Sequence, residues 1–275
     1  MRFFTKTTFG INLKAIILAA GEGKRLRPLT NNTPKCLVNL FGKSLLQWQI
    51  ETFRSCQIDD ISVVTGYRSK LIDLPGLKIF QNKKFETTNM VESLFCASQE
   101  LSEQTIVSYG DIIFEKKVLD KLIQSKADFS VIVDKNWKRY WEIRFDNPLN
   151  DVESLKIDTD DNITSIGQKT QKIDEIEGQY IGLMKFQNAG LEKIKKFYEK
   201  IKSQSTNNSN PLNPLVSFQQ SFMTDFLQGL INDGCKLKAV EIENGWLELD
   251  TINDYNKYTE LYSKNKLSEF IDLGN

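Results

Sequence analysis

At 275 residues, with 40% hydrophobic and 26% charged side chains, the chain has the size and composition of one large α/β domain or two small ones. Lys plus Arg and Asp plus Glu both number 36, so no basic surplus favours nucleic acid or an anionic membrane, and a small molecule is the expected partner. Histidine is absent, which excludes a Ser-His-Asp triad, a histidine general base and a histidine-bound metal and leaves the chemistry to carboxylates, lysine, arginine, hydroxyls and backbone.

The start of the chain, residues 1–13, mixes Arg2 and Lys6 with aromatics and has no cleavable leader pattern, and nothing later approaches the ~20 apolar residues of a membrane span. Residues 15–20, apolar and ending at Gly21, predict a buried central strand of a parallel sheet. After a loop rich in Gly, Pro and Thr, residues 44–53 carry apolar side chains at helical spacing and residues 61–65 predict a second strand, which makes a βαβ unit. Residues 78–80 are a short strand, and Thr88-Asn89 ahead of Glu92 predicts a helix cap for residues 90–100. The strand at 105–109 runs into Gly110-Asp111, an acid at the strand end where open α/β sheets bind ligands.

Residues 115–124 predict a helix and Phe129–Asp134 a strand, after which the pattern turns irregular through Trp137, Trp141 and Pro148, as expected of an inserted lobe. Short antiparallel strands are predicted at 155–157 and 163–166, and residues 180–183 return to the main sheet. An amphipathic helix at 191–201 precedes a polar loop, 203–214, expected to be mobile. A helix at 223–231, a strand at Leu237–Ile242 and a last strand ending in Leu249-Asp250 complete the pattern, with helices to about residue 273. Cys36, Cys56, Cys96 and Cys235 form no C-x-x-C pair and read as buried thiols of a cytoplasmic protein.

The densest chemistry lies after the first strand, where Gly21, Gly23, Arg25, Leu26, Pro28, Leu29 and Thr30 are followed by Pro34-Lys35. Two glycines let backbone N–H groups approach a polyphosphate, and Arg25 and Lys35 add cationic charge. The dinucleotide fingerprint fails because Leu26 stands at its third glycine, and a P-loop ending in Gly42-Lys43-Ser44 fails because Leu37 stands at its first.

As a joint pattern, residues 18–35 resemble the signature loop of the nucleotide-sugar pyrophosphorylase and cytidylyltransferase superfamily. The resemblance implies a GT-A, Rossmann-like three-layer α/β sandwich with a mixed, mostly parallel sheet and a small antiparallel insertion. One nucleotidyltransferase domain is expected: residues 14–134 for the nucleotide, 135–178 as an acceptor-side lobe, and 179–275 to complete the sheet. The resemblance makes Arg25 and Lys35 the catalytic cations and Asp111 and Asp250 the Mg²⁺ ligands. It assigns the nucleotide to Leu18, Ala19, Ala20, Gly21, Glu22 and Gly23 on the loop, with Thr88, Asn89, Gly110 and Asp111 beside them. Residues 88–94 are similar to choline-phosphate and phosphonate cytidylyltransferases. The stretch from Val133 to Glu153, residues 178–183 and residues 222–225 are similar to cytidylyltransferases of phosphonate pathways and of capsular phosphoramidate synthesis, whose acceptor is glutamine phosphate.

The expected reaction is CTP plus a small phosphorylated acceptor giving a CMP-linked product and pyrophosphate; a sugar-1-phosphate guanylyl- or uridylyltransferase and an inactive nucleotide-binding regulator are the alternatives, and a homodimer is left open. A phosphate nucleophile has its second pKa at about 6 and is already ionised at neutral pH, so a histidine-free protein suffices. Magnesium takes one or two carboxylates plus phosphate oxygens and water. Asp111 and Asp250 also suit caps of the helices beginning near Glu115 and Ile252, and Asn89 suits a cap as well as a base contact, with Thr88 an equal candidate. Lys169, in a Gln168-Lys169 pair where the family has Gly-Lys, is expected at the acceptor phosphate, with Arg139, Arg144, Tyr180, Asp225 and Trp246 on the acceptor side. Trp137, Trp141 and Trp246 fit either an aromatic wall around an ammonium group or the core, and the core is preferred for Trp141.

Overall fold

Ala15, Ile17 and Ala19 of strand β1 (Leu13–Ala19) pack into one apolar cluster and Ile16 and Leu18 into another, because both faces of the strand are covered. This arrangement comes from a computed structural model that describes residues 13–206 and 209–274. After β1 come a two-residue ribbon, β2 (Asn39–Leu40) with β3 (Lys43–Ser44), then α1 (Leu45–Ser55), β4 (Asp60–Thr65), β5 (Leu77–Gln81) and α2 (Met90–Cys96). The chain continues through β6 (Gln104–Tyr109), β7 (Ile112–Phe114), α3 (Lys116–Gln124), β8 (Phe129–Asp134), α4 (Trp137–Arg144), β9 (Glu153–Ile157) and β10 (Asn162–Lys169). It ends with β11 (Gln179–Gln187), α5 (Ala189–Gln204), α6 (Met223–Asn232), β12 (Leu237–Ile242), β13 (Trp246–Glu248) and α7 (Ile252–Ser263).

Among the described residues the main sheet has nine strands in the order β5-β4-β1-β6-β11-β8-β12-β10-β9. Strands β5, β4, β1 and β6 are parallel, β11 runs against both β6 and β8, β12 is parallel to β8, and β10 and β9 alternate at the far edge. Helices α1, α3, α4 and α7 send their apolar side chains into the cluster on one face, and α2, α5 and α6 into the cluster on the other. The result is the expected three-layer sandwich with a mixed, mostly parallel sheet. The chain leaves β1 toward β4 on one side and returns at β6 on the other, a reversal that opens a crevice at the carboxyl ends of the strands.

Residues 135–178, read as an inserted lobe with short antiparallel strands, hold the antiparallel pair β9–β10. The β9–β10 hairpin continues the main sheet by pairing Ile163 with Leu237, and Leu155, Ile163 and Ile166 share the core of α5 and α6. The stretch read as irregular holds α4, whose buried face is Trp137, Tyr140, Trp141 and Arg144. Of the four thiols only Cys36 is buried; Cys56 and Cys235 are half-buried and Cys96 is exposed, contrary to the reading of all four as interior. The expectation for residues 1–12 lies outside the described residues, as does that for 207 and 208 in the polar loop. In the described part of that loop Asn210 is buried and donates to Val216 O at 3.2 Å and Ser221 Oγ at 2.9 Å. No helix of the described residues is long and apolar enough to cross a membrane.

Strand β6 lies so close to β1 that its end tolerates only glycine: Gly110 N–H donates to Leu18 O at 2.8 Å, and a Cβ there would stand 2.7 Å from that oxygen and 3.0 Å from Ala19 Cα. Backbone atoms cannot swing aside as a side chain does. Gly110→Ala is therefore expected to cost about 2 kcal/mol and lower Tm by about 5 °C in thermal unfolding. An unchanged Tm would show that the two strand ends part freely.

Candidate active site

Three segments converge on the crevice. The loop after β1 turns at Gly23, whose φ of 71° is left-handed and whose carbonyl accepts Thr30 Oγ1 at 2.7 Å and Leu26 N–H at 3.0 Å. That loop curls over Lys35, which follows Pro34 in a short 3₁₀ turn. Strand β6 delivers Asp111, and the β7–β13 ribbon, pairing Ile112 with Glu248, brings Asp250 alongside it; Leu249 N–H donates to Asp111 O at 2.9 Å.

Lys35 Nζ donates to Asp111 Oδ2 at 2.7 Å and to Asp250 Oδ1 at 2.8 Å, so one ammonium joins the two acids. Arg25 Nη2 lies 2.7 Å from Asp250 Oδ2, with its side chain 68% exposed against 13% for Lys35. Burial disfavours the Lys35 ammonium, but the charges of Asp111 and Asp250 outweigh it and hold the pKa above the usual lysine range. Burial raises the Asp250 carboxyl, and Lys35 and then Arg25 reverse the effect, keeping it below the usual carboxylate range. Neither acid is a helix cap, since Glu115 holds the cap position of α3 and the Thr251 side chain caps α7.

A cleft of about 420 Å³ opens over this cluster. All the residues assigned to the nucleotide from sequence line it: Leu18, Ala19, Ala20, Gly21, Glu22 and Gly23 on the loop, and Thr88, Asn89, Gly110 and Asp111 opposite. Phe85, Met90 and Ser93 also line it and were not foreseen. The Asn89 side chain is occupied as a cap, its Oδ1 accepting Met90 N–H at 2.8 Å, whereas Thr88 Oγ1 accepts from Asn82 at 2.8 Å and donates to Lys84 O at 2.9 Å. The donor set fits a hard divalent cation: two carboxylates face one point, and Asp111 Oδ1 is buried with no hydrogen-bond partner. Among the described residues no group of three or more ligating side chains exists, so such a cation would draw its other ligands from substrate and water.

A second hollow, of about 160 Å³, shares Met90 and Tyr109 with the cleft as a common wall. Asp151, Glu153 and Glu248 line it together with the rings of Trp141, Tyr180 and Trp246, and no lysine or arginine does. Burial, reinforced by Asp225, pushes the Glu153 carboxyl up to about 7. Burial pushes Glu248 to about 7 as well, against the pull of Arg144.

Of the residues expected on the acceptor side, Tyr180 and Trp246 line this hollow, and Arg139, Arg144, Lys169 and Asp225 do not. Arg139 points outward, paired with Glu269 and 5.4 Å from the Phe270 ring centroid. Arg144 is buried against Asp254 and Glu248, and Lys169 lies exposed on β10. Asp225 closes the first turn of α6, its Oδ2 accepting Phe222 N–H at 2.9 Å. Trp141, preferred as core, has its indole N–H on Asp151 Oδ2 at 3.1 Å and forms a wall of the hollow, while Trp137 is core alone. Asp151, Glu153 and Glu248 lie in stretches that carry the family resemblance but were given no site role; the three aromatics near them were the available signal.

The family description of a MobA-like NTP transferase domain matches residues 15–173. The chain is 39% identical over 253 residues to the CTP:phosphoglutamine cytidylyltransferase of Campylobacter jejuni subsp. jejuni serotype O:2, covering 88% of this chain and 97% of that one. It is 27% identical to the choline-phosphate cytidylyltransferase of Streptococcus pneumoniae, covering 90% and 98%. Among solved structures, the CTP:phosphocholine cytidylyltransferase of Streptococcus pneumoniae superposes with a TM-score of 0.69 at 24% identity, covering 92% of this chain and 100% of that one. The inositol-1-phosphate CTP transferase of T. maritima gives 0.70 at 20% identity, covering 96% and 99%; at these identities the two structures show the fold. The chain therefore belongs to the MobA-like NTP transferase family and is a nucleotidyltransferase.

Proposed function

We propose that the protein is a Mg²⁺-dependent cytidylyltransferase that moves CMP from CTP to a small phosphorylated acceptor carrying a protonated amine, with L-glutamine phosphate the first choice. The observation that carries this reading is the adjacency of two different environments: a glycine-lined cleft where Lys24, Arg25 and Lys35 stand among carboxylates, and an aromatic hollow behind Met90 and Tyr109 whose charged lining is acidic alone. A triphosphate suits the first and an ammonium group flanked by carboxylates and rings suits the second. A sugar phosphate carries no cationic group to set against Asp151 and Glu153, whereas Glu248 is already paired with Arg144. The relatives named for CTP with phosphoglutamine or choline phosphate as acceptor point the same way.

In this reading an acceptor phosphate oxygen attacks the α-phosphorus of CTP, the bond from that phosphorus to the bridging oxygen breaks, and pyrophosphate leaves with the electron pair. No proton has to be removed from the nucleophile, since phosphate near neutral pH is already ionised. Backbone N–H groups from Ala20 to Gly23 hold the polyphosphate, and Lys35 and Arg25 neutralise charge that grows on the α-phosphate and the leaving group. Mg²⁺, when held by Asp111 and Asp250, supplies further positive charge to the same oxygens. Met90 and Tyr109 keep the two substrates in separate compartments that meet at the reacting atoms. One domain then does the work, with residues 14–134 serving the nucleotide and α4, β9 and β11 the acceptor, in the cytoplasm where CTP is made.

Asp250→Ala is expected to lower turnover at least about 100-fold with the circular dichroism spectrum unchanged, as removal of a charge-stabilising group does. Activity retained at saturating Mg²⁺ would refute the role. A pyrophosphate-release assay with four nucleotides should show CTP far ahead when amine-bearing phosphates are offered; dominance of GTP or UTP with a sugar 1-phosphate would favour that alternative, and no release with any pair would make the protein a non-catalytic binder.

The acceptor KM should fall as pH rises, because Glu153 gains its charge as it ionises near pH 7 and the ammonium is drawn only to the ionised form. Between pH 6 and pH 8 the ionised fraction of such a group grows about tenfold, so KM should drop by about that factor beyond the change due to the substrate phosphate. Glu153→Gln should remove the share of that drop due to Glu153. Identical pH profiles for variant and wild type would remove Glu153 from acceptor binding.

A further inference from the structure

Arg144 lines neither the cleft nor the hollow, yet its buried guanidinium joins them. Its Nε and Nη2 donate to Asp254 Oδ1 and Oδ2 at 3.0 and 3.3 Å, and Nη1 donates to Glu248 Oε2 at 2.7 Å. Asp254 passes the contact on, since its Oδ2 accepts the backbone N–H of Asp250 at 3.1 Å and of Thr251 at 2.8 Å. Arg144 O accepts Asn253 Nδ2 at 3.0 Å, which ties the end of α4 to the same turn. The rings of Tyr140, Trp141 and Phe145 surround the fork with centroids 5.4, 5.4 and 5.1 Å away and fix its direction. One planar group therefore sets the backbone that carries Asp250, holds the acid two residues before it, and belongs to the helix whose Trp141 walls the acceptor hollow.

We propose that Arg144 is a positioning residue for the cation site: acting through Asp254 and Glu248, it aims the Asp250 carboxylate and touches no substrate. The proposal rests on the reading of Asp111 and Asp250 as the Mg²⁺ ligands. A lysine at 144 keeps the charge but not the fork, so it can satisfy one of the two carboxylates and must loosen the other. Asp254→Asn reaches the same link from the other end, because an amide oxygen can still accept the two N–H groups while the charged pair with Arg144 is lost.

The test is Mn²⁺ binding in the presence of CTP, followed by electron paramagnetic resonance, on wild type, Arg144→Lys, Asp254→Asn and Asp250→Asn, each checked for folding by circular dichroism. Arg144→Lys and Asp254→Asn should weaken Mn²⁺ about tenfold, the usual effect of losing a group that orients a metal ligand, and leave the CTP KM within about twofold. Raising Mg²⁺ should restore kcat of Arg144→Lys to within about threefold of wild type, a rescue that a merely misfolded fraction would not show. Folded Arg144→Lys binding Mn²⁺ as tightly as wild type, while Asp250→Asn has lost it, overturns the positioning role; should the lysine variant not fold, Asp254→Asn decides in the same way. Asp250→Asn binding Mn²⁺ like wild type instead sinks the assignment of Asp250 as a ligand, and the proposal with it.

Discussion

The site depends on a single ammonium held between two carboxylates. Asp111 and Asp250 come from different ends of the sequence and meet in a partly buried place, where like charges repel and desolvation is costly. Lys35, within 2.8 Å of both, removes that repulsion, and leaving such acids without it would cost about 3–5 kcal/mol. The surrounding architecture serves this contact: the β7–β13 ribbon fixes the spacing of the acids, and the glycine loop wraps the lysine stem so that the charge points inward. A substrate triphosphate with its divalent cation matches the same charge pattern. The cation suits the carboxylates, and the lysine and Arg25 then suit the phosphates.

Behind Met90 and Tyr109 the balance changes: the cleft mixes lysines and an arginine with its acids, and the hollow is lined by acids with no lysine or arginine. Asp151, Glu153 and Glu248 share a hollow with aromatic rings, and burial holds two of these carboxyls near pH 7 rather than letting them ionise fully. Such a hollow disfavours its own charged state, a property that suits the cationic group of the proposed acceptor. Arg144 moderates it from below by pairing with Glu248, which explains how three acids persist around so small a space.

The elements most legible in the sequence were those whose signal is local. The apolar run of β1, the glycine turn with Lys35 and the acid after β6 each lie within a few residues, whereas Asp250, far along the chain, was singled out through the family resemblance. Helix α4 was hidden because Arg144 occupies one of its four inward positions, and periodicity counts an arginine as polar. The antiparallel strands within 135–178 were legible, but not their place at the edge of the main sheet, because pairing of Ile163 with Leu237 joins segments far apart in the chain. Arg139, Arg144 and Lys169 were assigned to the acceptor because a phosphate calls for cations, but whether a cation is free depends on its partners. Glu269, Glu248 and Asp254 already hold two of the three, and no local pattern reveals that.

The most direct measurement is a crystal structure of the protein with CTP and Mg²⁺. The account predicts the triphosphate in the cleft beneath residues 20–25, the cation on Asp111 and Asp250, and the Lys35 ammonium moved from the carboxylates to phosphate oxygens. Nucleotide bound elsewhere, or Lys35 still bridging both carboxylates beside a metal-free triphosphate, would contradict it.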